Sequence, residues 1–453
     1  MTDPRASATR ADRGSRAAAV GLAVTLLLIA LAVSVPLLTG WDVVTRAARS
    51  EDDRAVPPLH GVWVPHIGVA TIAVVVLALL ALRYAASLAL TLPWRGVLAA
   101  GSGAAFTWML SLALVDGPSG ISRVLGNPWE YLRTAREVDD IGVLLSEYLS
   151  RVPLDAQDNW VTHVAGHPPG MLLVFVALVR MGLGADFVAG LIVTAIASLL
   201  APAVLVTVRA LVDESTARRA APFVVFTPAA VFLSVSADAV IAVVGAWGIA
   251  LLALGATSRR SGPLWAWSAG AGLLLGGSVM MSYGMPLYGV LAVAVLIAAK
   301  RWQPLPIAAG VALLVVLSFA AAGFALWEAF PVISERYWDG IARRRPFEYW
   351  VWGNLAALAI SAGPFVGAGI AATGARWREL RRGMLLLVGA GIAMVVLADL
   401  SGMSKAEVER IWLPFMPWLT LAMAALPDRW LRPALGGQLL WAVLVQHLLY
   451  TVW

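Results

Sequence analysis

Apolar residues occur along this chain in long unbroken runs, not in the alternation of strands or the narrow stripe of a surface helix. The runs span 17–39, 67–86, 96–115, 169–182, 187–211, 221–235, 238–256, 264–281, 285–300, 304–328, 354–374, 383–399, 412–427 and 433–452. Most approach or exceed the ~20 residues that a helix needs to cross a ~30 Å hydrocarbon core. Lipid admits only helices and closed barrels, and continuous runs indicate helices. The pattern predicts an all-α polytopic membrane protein, a bundle of about 13 transmembrane helices. Residues 17–453 are expected to form one domain, behind a disordered cytoplasmic N-terminus at 1–16. The run at 169–182 is short for a full span and predicts a re-entrant or half-depth helix, tolerated where protein or a cavity surrounds it.

Composition sharpens this. The 453 residues are 60% hydrophobic and only 13% charged, with a mean hydropathy of +0.81, which excludes an ordinary soluble domain. Zero cysteines exclude disulfides, thiolate zinc sites and cysteine nucleophiles. A net charge of +6 would fit nucleic-acid binding, but the basic residues fall in short connections between runs. That is the positive-inside pattern, and no nucleic-acid partner is expected.

Charge also orients the chain. The first run follows Arg10, Arg13 and Arg16; it is too long for a signal peptide and lacks a small-residue cleavage site, so it reads as an anchor. Short basic connections at 256–262, 300–302, 376–383 and 427–433 are placed in the cytoplasm. The loops at 116–168, 329–353 and 399–411 then face outward from a multi-pass protein of the plasma membrane. Arg343, Arg344 and Arg345 stand together in an outer loop, against the rule, and are expected to serve a task. Many of the 20 tryptophans lie at run ends, where aromatic rings settle at the interface.

Candidate chemistry clusters in the outer loops. The 116–168 loop contains "VDDIGVLLSEYL", where Asp139 and Asp140 precede a short amphipathic patch. The bland alternative is a solvated pair capping a surface helix. The loop ends in His167-Pro168-Pro169-Gly170, whose prolines fix a rigid helix entry. "TPAAVFLSVSADAV" places Asp238 among apolar residues at an outer turn; an acid there is a functional candidate, with a helix N-cap as the ordinary alternative. "GMSKAEVERIWLPF" sets Lys405, Glu407, Glu409 and Arg410 at a helix mouth, and arginine can fork onto a phosphate.

An outer Asp-Asp pair opening a short helix, followed by a His-Pro-Pro element entering the membrane, resembles the GT-C membrane glycosyltransferases. The closest likeness is to the group containing protein O-mannosyltransferases and the lipid A aminoarabinose transferase. Pro228, Ser234, Ser236 and Asp238, and the late "RIWLPF", resemble further motifs of that group. The likeness covers about 130–260 and 400–420. Two features depart from it: two spans precede the acidic loop's own span, where the family has one, and Gly170 replaces a large apolar residue.

The resemblance implies a polyprenyl-phosphate sugar donor and a glycolipid or glycan acceptor, with mannose or arabinofuranose transferred as in actinobacterial envelope relatives. It implies Asp139 as the catalytic base and Asp140 as the group orienting acceptor or sugar. Arg410 leads the groups stabilising the leaving lipid phosphate, followed by Lys405 and one of Arg343, Arg344 or Arg345. His163, His167, Asp238 and Glu409 join the substrate-binding set, and Tyr283 and Trp338 could stack on sugar or prenyl chain. Donation without a nucleotide means that no nucleotide-binding motif is expected, and no cofactor is certain. His163 and His167, at i, i+4, could with Asp139 or Asp140 ligate a divalent metal, although the prolines favour a sugar-binding or structural His167. Two other classes compete: a lipid or lipid-linked-sugar flippase, which should show paired helix breaks in corresponding halves, and a structural membrane partner without chemistry.

Overall fold

A computed structural model describes residues 4–45 and 55–451 and is almost wholly helical. Helix α1 (Pro4–Thr39) is followed by α2 (Thr71–Thr91) and α3 (Trp94–Ala113). The loop expected at 116–168 holds α4 (Ser119–Gly126), α5 (Tyr131–Arg136), α6 (Ile141–Glu147) and α7 (Thr162–Ala165). Then come α8 (Gly170–Arg180), α9 (Asp186–Ala197), α10 (Leu200–Leu211), α11 (Glu214–Val225) and α12 (Ala230–Leu233). The centre of the chain supplies α13 (Ala237–Thr257), α14 (Ser261–Val279), α15 (Tyr288–Ala299), α16 (Pro304–Ala321) and α17 (Leu326–Asp339). The last third supplies α18 (Phe347–Ala362), α19 (Phe365–Ala375), α20 (Arg382–Leu400), α21 (Val408–Ile411), α22 (Met416–Thr420) and α23 (Asp428–Leu448).

Seven helical segments among the described residues are long and apolar enough to cross a membrane. Together they make the chain a polytopic α-helical membrane protein. They are 12–39, α2, 94–116, 186–211, α13, α16 and α20; α18 and α19, bent by 102° at their junction, could add an eighth. Several expected spans are shorter or broken. The run at 221–235 ends α11 at Val225 and resumes only as the single turn of α12, because Thr227-Pro228 interrupts the helix. The run at 412–427 divides into α22 and a 3-10 turn, and 169–182 holds only 11 helical residues in α8. Residues 4–16, expected to be disordered, are helical and begin α1.

The bundle is centred on α13, whose apolar window is 78% buried and which packs against α9, α10, α14 and α15. The corresponding windows of α1 and α16 are only 11% buried and that of α2 17%. Exposed Val24, Leu27, Leu79 and Leu314 are the surface such helices offer to acyl chains. Small residues allow close crossings: a Cβ on Gly21 of α1 would lie 2.4 Å from the carbonyl oxygen of Gly367 in α19. One two-stranded sheet, outside the all-α expectation, pairs β1 (Gly61–Trp63) antiparallel with β2 (Leu449–Thr451). Val64 and His66 N–H extend the pairing to the carbonyls of Leu448 and His447 at 3.0 and 2.9 Å, so the chain's end is tied to the segment before α2.

Candidate functional site

Five charged or titratable side chains from four separate segments meet where α5, α8, α13 and α21 begin or pass. Glu130 precedes α5, His163 lies in α7, His167 precedes α8, Asp238 lies in the first turn of α13, and Arg410 lies in α21. Arg410 Nη1 stands 3.4 Å from Glu130 Oε1 and 3.3 Å from Asp238 Oδ2. His163 Nδ1 lies 2.7 Å from the same Glu130 oxygen. His167 Nε2 approaches Asp238 Oδ1 to 3.8 Å, too far for a hydrogen bond. Arg410, Glu130 and Asp238 are each at most 5% exposed. Two carboxylates therefore share one guanidinium in an apolar bundle, which lowers the cost of burying all three charges.

Local structure fixes each member. Ser236 caps α13 by accepting from Asp238 N–H at 3.2 Å, and the helix N-terminus favours the carboxylate there. The preceding Val235 is left-handed (φ 59°), a strained state for a β-branched residue; its N–H donates to Thr194 Oγ1 at 3.1 Å. Ala406 and Glu407, just before Arg410, are left-handed too (φ 66° and 61°), and Asn354 Oδ1 holds Ala406 N–H at 3.1 Å. Both turns that aim a charged residue into the cluster are thus conformationally strained.

His167 Nδ1–H donates to the His163 carbonyl at 2.9 Å, leaving Nε2 facing Asp238. Burial lowers the His167 pKa, partly offset by the Asp238 charge. Burial also pushes Glu130 upward, but His163 and Arg410 outweigh it and hold Glu130 below its ordinary range. Tyr131 packs against the site: its ring stacks on Phe175 at 5.6 Å and meets His167 edge-on at 5.8 Å. Tyr148 Oη donates toward the carbonyls of Val164 and His167 at 2.7 and 3.0 Å. Gly170, the departure from the family pattern, has a structural cause. Its N–H donates to Met280 O at 2.8 Å, and a Cβ there would lie 2.3 Å from that oxygen.

Of the residues singled out from the sequence, His163, His167, Asp238 and Arg410 are brought together. Asp139 and Asp140 are not. Both are exposed; Asp140 caps α6, accepting from Gly142 and Val143 N–H at 2.6 and 3.1 Å, and the Asp139 carbonyl accepts from Arg180 at 2.8 Å. The bland alternative describes Asp140's contacts. Arg343 and Arg344 are exposed, whereas Arg345 is buried and donates to Val44 O, Lys405 O and Glu407. Lys405 Nζ donates to the Arg345 carbonyl at 2.9 Å and lies 4.7 Å over the Trp338 ring; burial lowers its pKa. Tyr283 meets Phe330 edge-on, and burial raises its hydroxyl pKa.

Glu409 points elsewhere in the same region. Fully buried, it accepts from His60 N–H at 2.7 Å, and burial together with the Glu407 charge pushes its pKa up to about 7 against that hydrogen bond. Burial would raise Glu407 as well, but His60 and Arg345 hold it well below the carboxylate range. Among the described residues no group of three or more His, Asp or Glu side chains is arranged to hold a metal. Sequence reasoning missed Glu130 and His60. The signal for Glu130 was an acid inside "WEYL", at the head of a short helix whose Tyr131 and Leu132 are buried.

Fold and site together define a polytopic helical membrane protein with a buried ionic cluster at one end of its central helix. No family model, curated protein or solved structure matches the chain.

Proposed function

We propose that the protein is a GT-C-like membrane glycosyltransferase that moves a sugar, mannose or arabinofuranose, from a polyprenyl-phosphate donor to a cell-envelope glycolipid or glycan. The observation that carries this is the pair of buried carboxylates, Glu130 and Asp238, sharing Arg410 beside an apolar cavity. That cavity is a narrow crevice walled by residues flanking the site, among them Leu233 before Asp238, and Leu413 and Pro417 after Arg410. A polar headgroup suits the charged cluster, and an isoprenoid chain suits the apolar wall beside it.

In this mechanism Asp238, not Asp139, is the base. Glu130 is occupied by His163, whereas Asp238 Oδ2 has the Arg410 ion pair but no well-formed hydrogen bond. Asp238 takes the acceptor hydroxyl's proton as that oxygen bonds to the anomeric carbon. The bond from that carbon to the donor phosphate breaks, and the phosphate oxygen leaves with the electron pair. Arg410 stabilises the charge that develops on it, and His167 Nε2, 3.8 Å from Asp238, offers a second acceptor for a sugar hydroxyl. One displacement of this kind inverts the anomeric centre.

The finer topology belongs to the same proposal: about 13 crossings, several made by short helices inside the bundle, with the cluster on the extracytoplasmic side of the plasma membrane. The bent α18–α19 pair favours a second reading, a flippase for lipid-linked sugars, because broken helices line transport paths. Labelled polyprenyl-phosphate sugars supplied to the protein in nanodiscs separate the two. Donor consumption that disappears in Asp238→Asn supports the enzyme; binding without any consumption, with donor moved between leaflets of proteoliposomes, supports transport. Because the native chain has no cysteine, a single Arg343→Cys labelled by an impermeant maleimide in intact cells checks the orientation.

A further inference from the structure

A second polar cleft is built from residues that the mechanism has not used. Asp116 ends the 3-10 turn that follows α3, and its carboxylate is clamped from two sides: His66 Nε2 at 2.6 Å and Arg123 Nη2 at 2.6 Å. Arg123, on α4, lies 4.4 Å over the Tyr450 ring and donates toward the Thr451 carbonyl at 3.4 Å. The small sheet has a purpose here, because β2 carries Tyr450 and Thr451 while the pairing that continues past β1 places His66. Asp116, Arg123, Ser234, Gln446 and Thr451 line this narrow cleft, which is open at its mouth.

Two observations point to a ligand. Ser234 is only 5% exposed and its Oγ has no hydrogen-bond partner; Arg123 Nε is likewise unpartnered. A buried hydroxyl left unsatisfied is costly, and a bound polar molecule would remove that cost. The chemistry of the lining selects its class. Asp116 offsets the Arg123 charge, so the cleft does not present the excess positive charge that a phosphate or carboxylate ligand needs. It presents instead a carboxylate, a hydroxyl and an amide beside guanidinium N–H groups, alternating acceptors and donors as vicinal hydroxyls require.

Position ties the cleft to the cluster. Ser234 lines the cleft, Asp238 belongs to the ionic site, and the left-handed Val235 lies between them. One strained turn therefore serves both. We infer that the cleft is a saccharide subsite that holds a neutral sugar unit of the acceptor glycan, an inference resting on the glycosyltransferase reading above.

The test uses the full chain in nanodiscs, with methyl α-D-mannopyranoside, methyl α-D-arabinofuranoside and sodium phosphate as probes at matched ionic strength. Thermal unfolding is followed for the wild type, Arg123→Met, Ser234→Ala and Gln446→Leu. The expected result is a saturable upward shift with one methyl glycoside and none with phosphate, at least tenfold weaker in affinity in Arg123→Met and Gln446→Leu. In transfer assays those variants should raise the KM for acceptor while leaving slow hydrolysis of the donor unchanged. Absence of any glycoside shift in the wild type overturns the inference, as does a shift that all three variants retain. A phosphate-driven shift lost in Arg123→Met overturns it in favour of an anion site. Gln446→Leu keeps the Asp116–Arg123 pair and guards against misfolding as the cause. If the glycosides bind as expected but no donor is ever consumed, the saccharide subsite stands and the enzyme reading alone fails.

Discussion

Arg410 Nη1 stands 3.3 Å from Asp238 Oδ2, joining the first turn of the central helix to a short helix near the end of the chain. Glu130 reaches the same nitrogen at 3.4 Å, so removing the guanidinium leaves two carboxylates buried without their shared cation. Breaking such a pair from one side costs about 3–5 kcal/mol. Arg410→Met should therefore lower the unfolding midpoint strongly, while the double variant Arg410→Met/Asp238→Asn recovers part of the loss. Thermal unfolding of the four proteins in one detergent gives the coupling. Midpoints that add without coupling would remove the cluster from any role in stability.

The same geometry separates the two pairs of acids. Asp238→Asn and Glu130→Gln should reduce donor consumption by roughly 10²–10³, the scale of losing a positioned charged group. Asp139→Asn and Asp140→Asn should stay within about threefold of wild type, a range below one kcal/mol. Asp140→Ala should cost about 1 kcal/mol of stability through the lost cap on α6. Initial rates at saturating donor decide it, and an inactive Asp139→Asn with a native melting curve would return the base to the exposed pair.

The element that enters the bundle after His167 allows a purely steric test. A methyl group on Gly170 would sit 2.3 Å from the Met280 carbonyl oxygen, and the Gly170 N–H bonds that same oxygen at 2.8 Å. Gly170→Ala should force α8 away from 280, costing on the order of 1–3 kcal/mol as overpacking does and disturbing His167 three residues earlier. A midpoint within one degree of wild type would show that the contact yields freely.

Much of this arrangement was legible in the sequence because membrane helices announce themselves by long apolar runs. The runs expected at 67–86, 187–211, 238–256, 304–328 and 383–399 correspond to apolar helical segments at 71–91, 186–211, 237–257, 304–321 and 382–400. The breaks were less legible, since Thr227-Pro228 and the α18–α19 bend interrupt runs whose hydropathy stays high. In the site, Asp238 stood out as an acid among apolar residues, His167 by the prolines that follow it, and Arg410 as an arginine at a helix mouth. Glu130 and Asp116 did not, since they lie in a loop already rich in charge, where only the fold shows which acids are buried. The Asp139–Asp140 pair lies in the same loop, exposed and outside the buried cluster. Adjacent carboxylates draw the eye, yet they carry their charge most easily in water, where the structure leaves them.

Glu409 provides a test in pH. Its carboxyl, buried against His60 N–H, has its pKa raised from an ordinary 4.5 to about 7. Between those values the folded protein binds more protons than the unfolded chain, so this group's contribution to stability is full below pH 4.5 and falls as pH rises toward 7. At 1.36 kcal/mol per unit the fall is at most about 3 kcal/mol. His167, with its pKa lowered by burial, acts in the opposite sense, losing stability as pH falls below the ordinary histidine value. The two effects oppose each other in the wild type, and Glu409→Gln isolates one of them. The amide still accepts from His60 N–H but carries no charge to bury. Glu409→Gln should thus match wild type near pH 4.5 and exceed it in unfolding midpoint above pH 7, with the difference growing between. A difference that is flat from pH 4.5 to 8 would mean that Glu409 ionises in the folded protein as readily as in water.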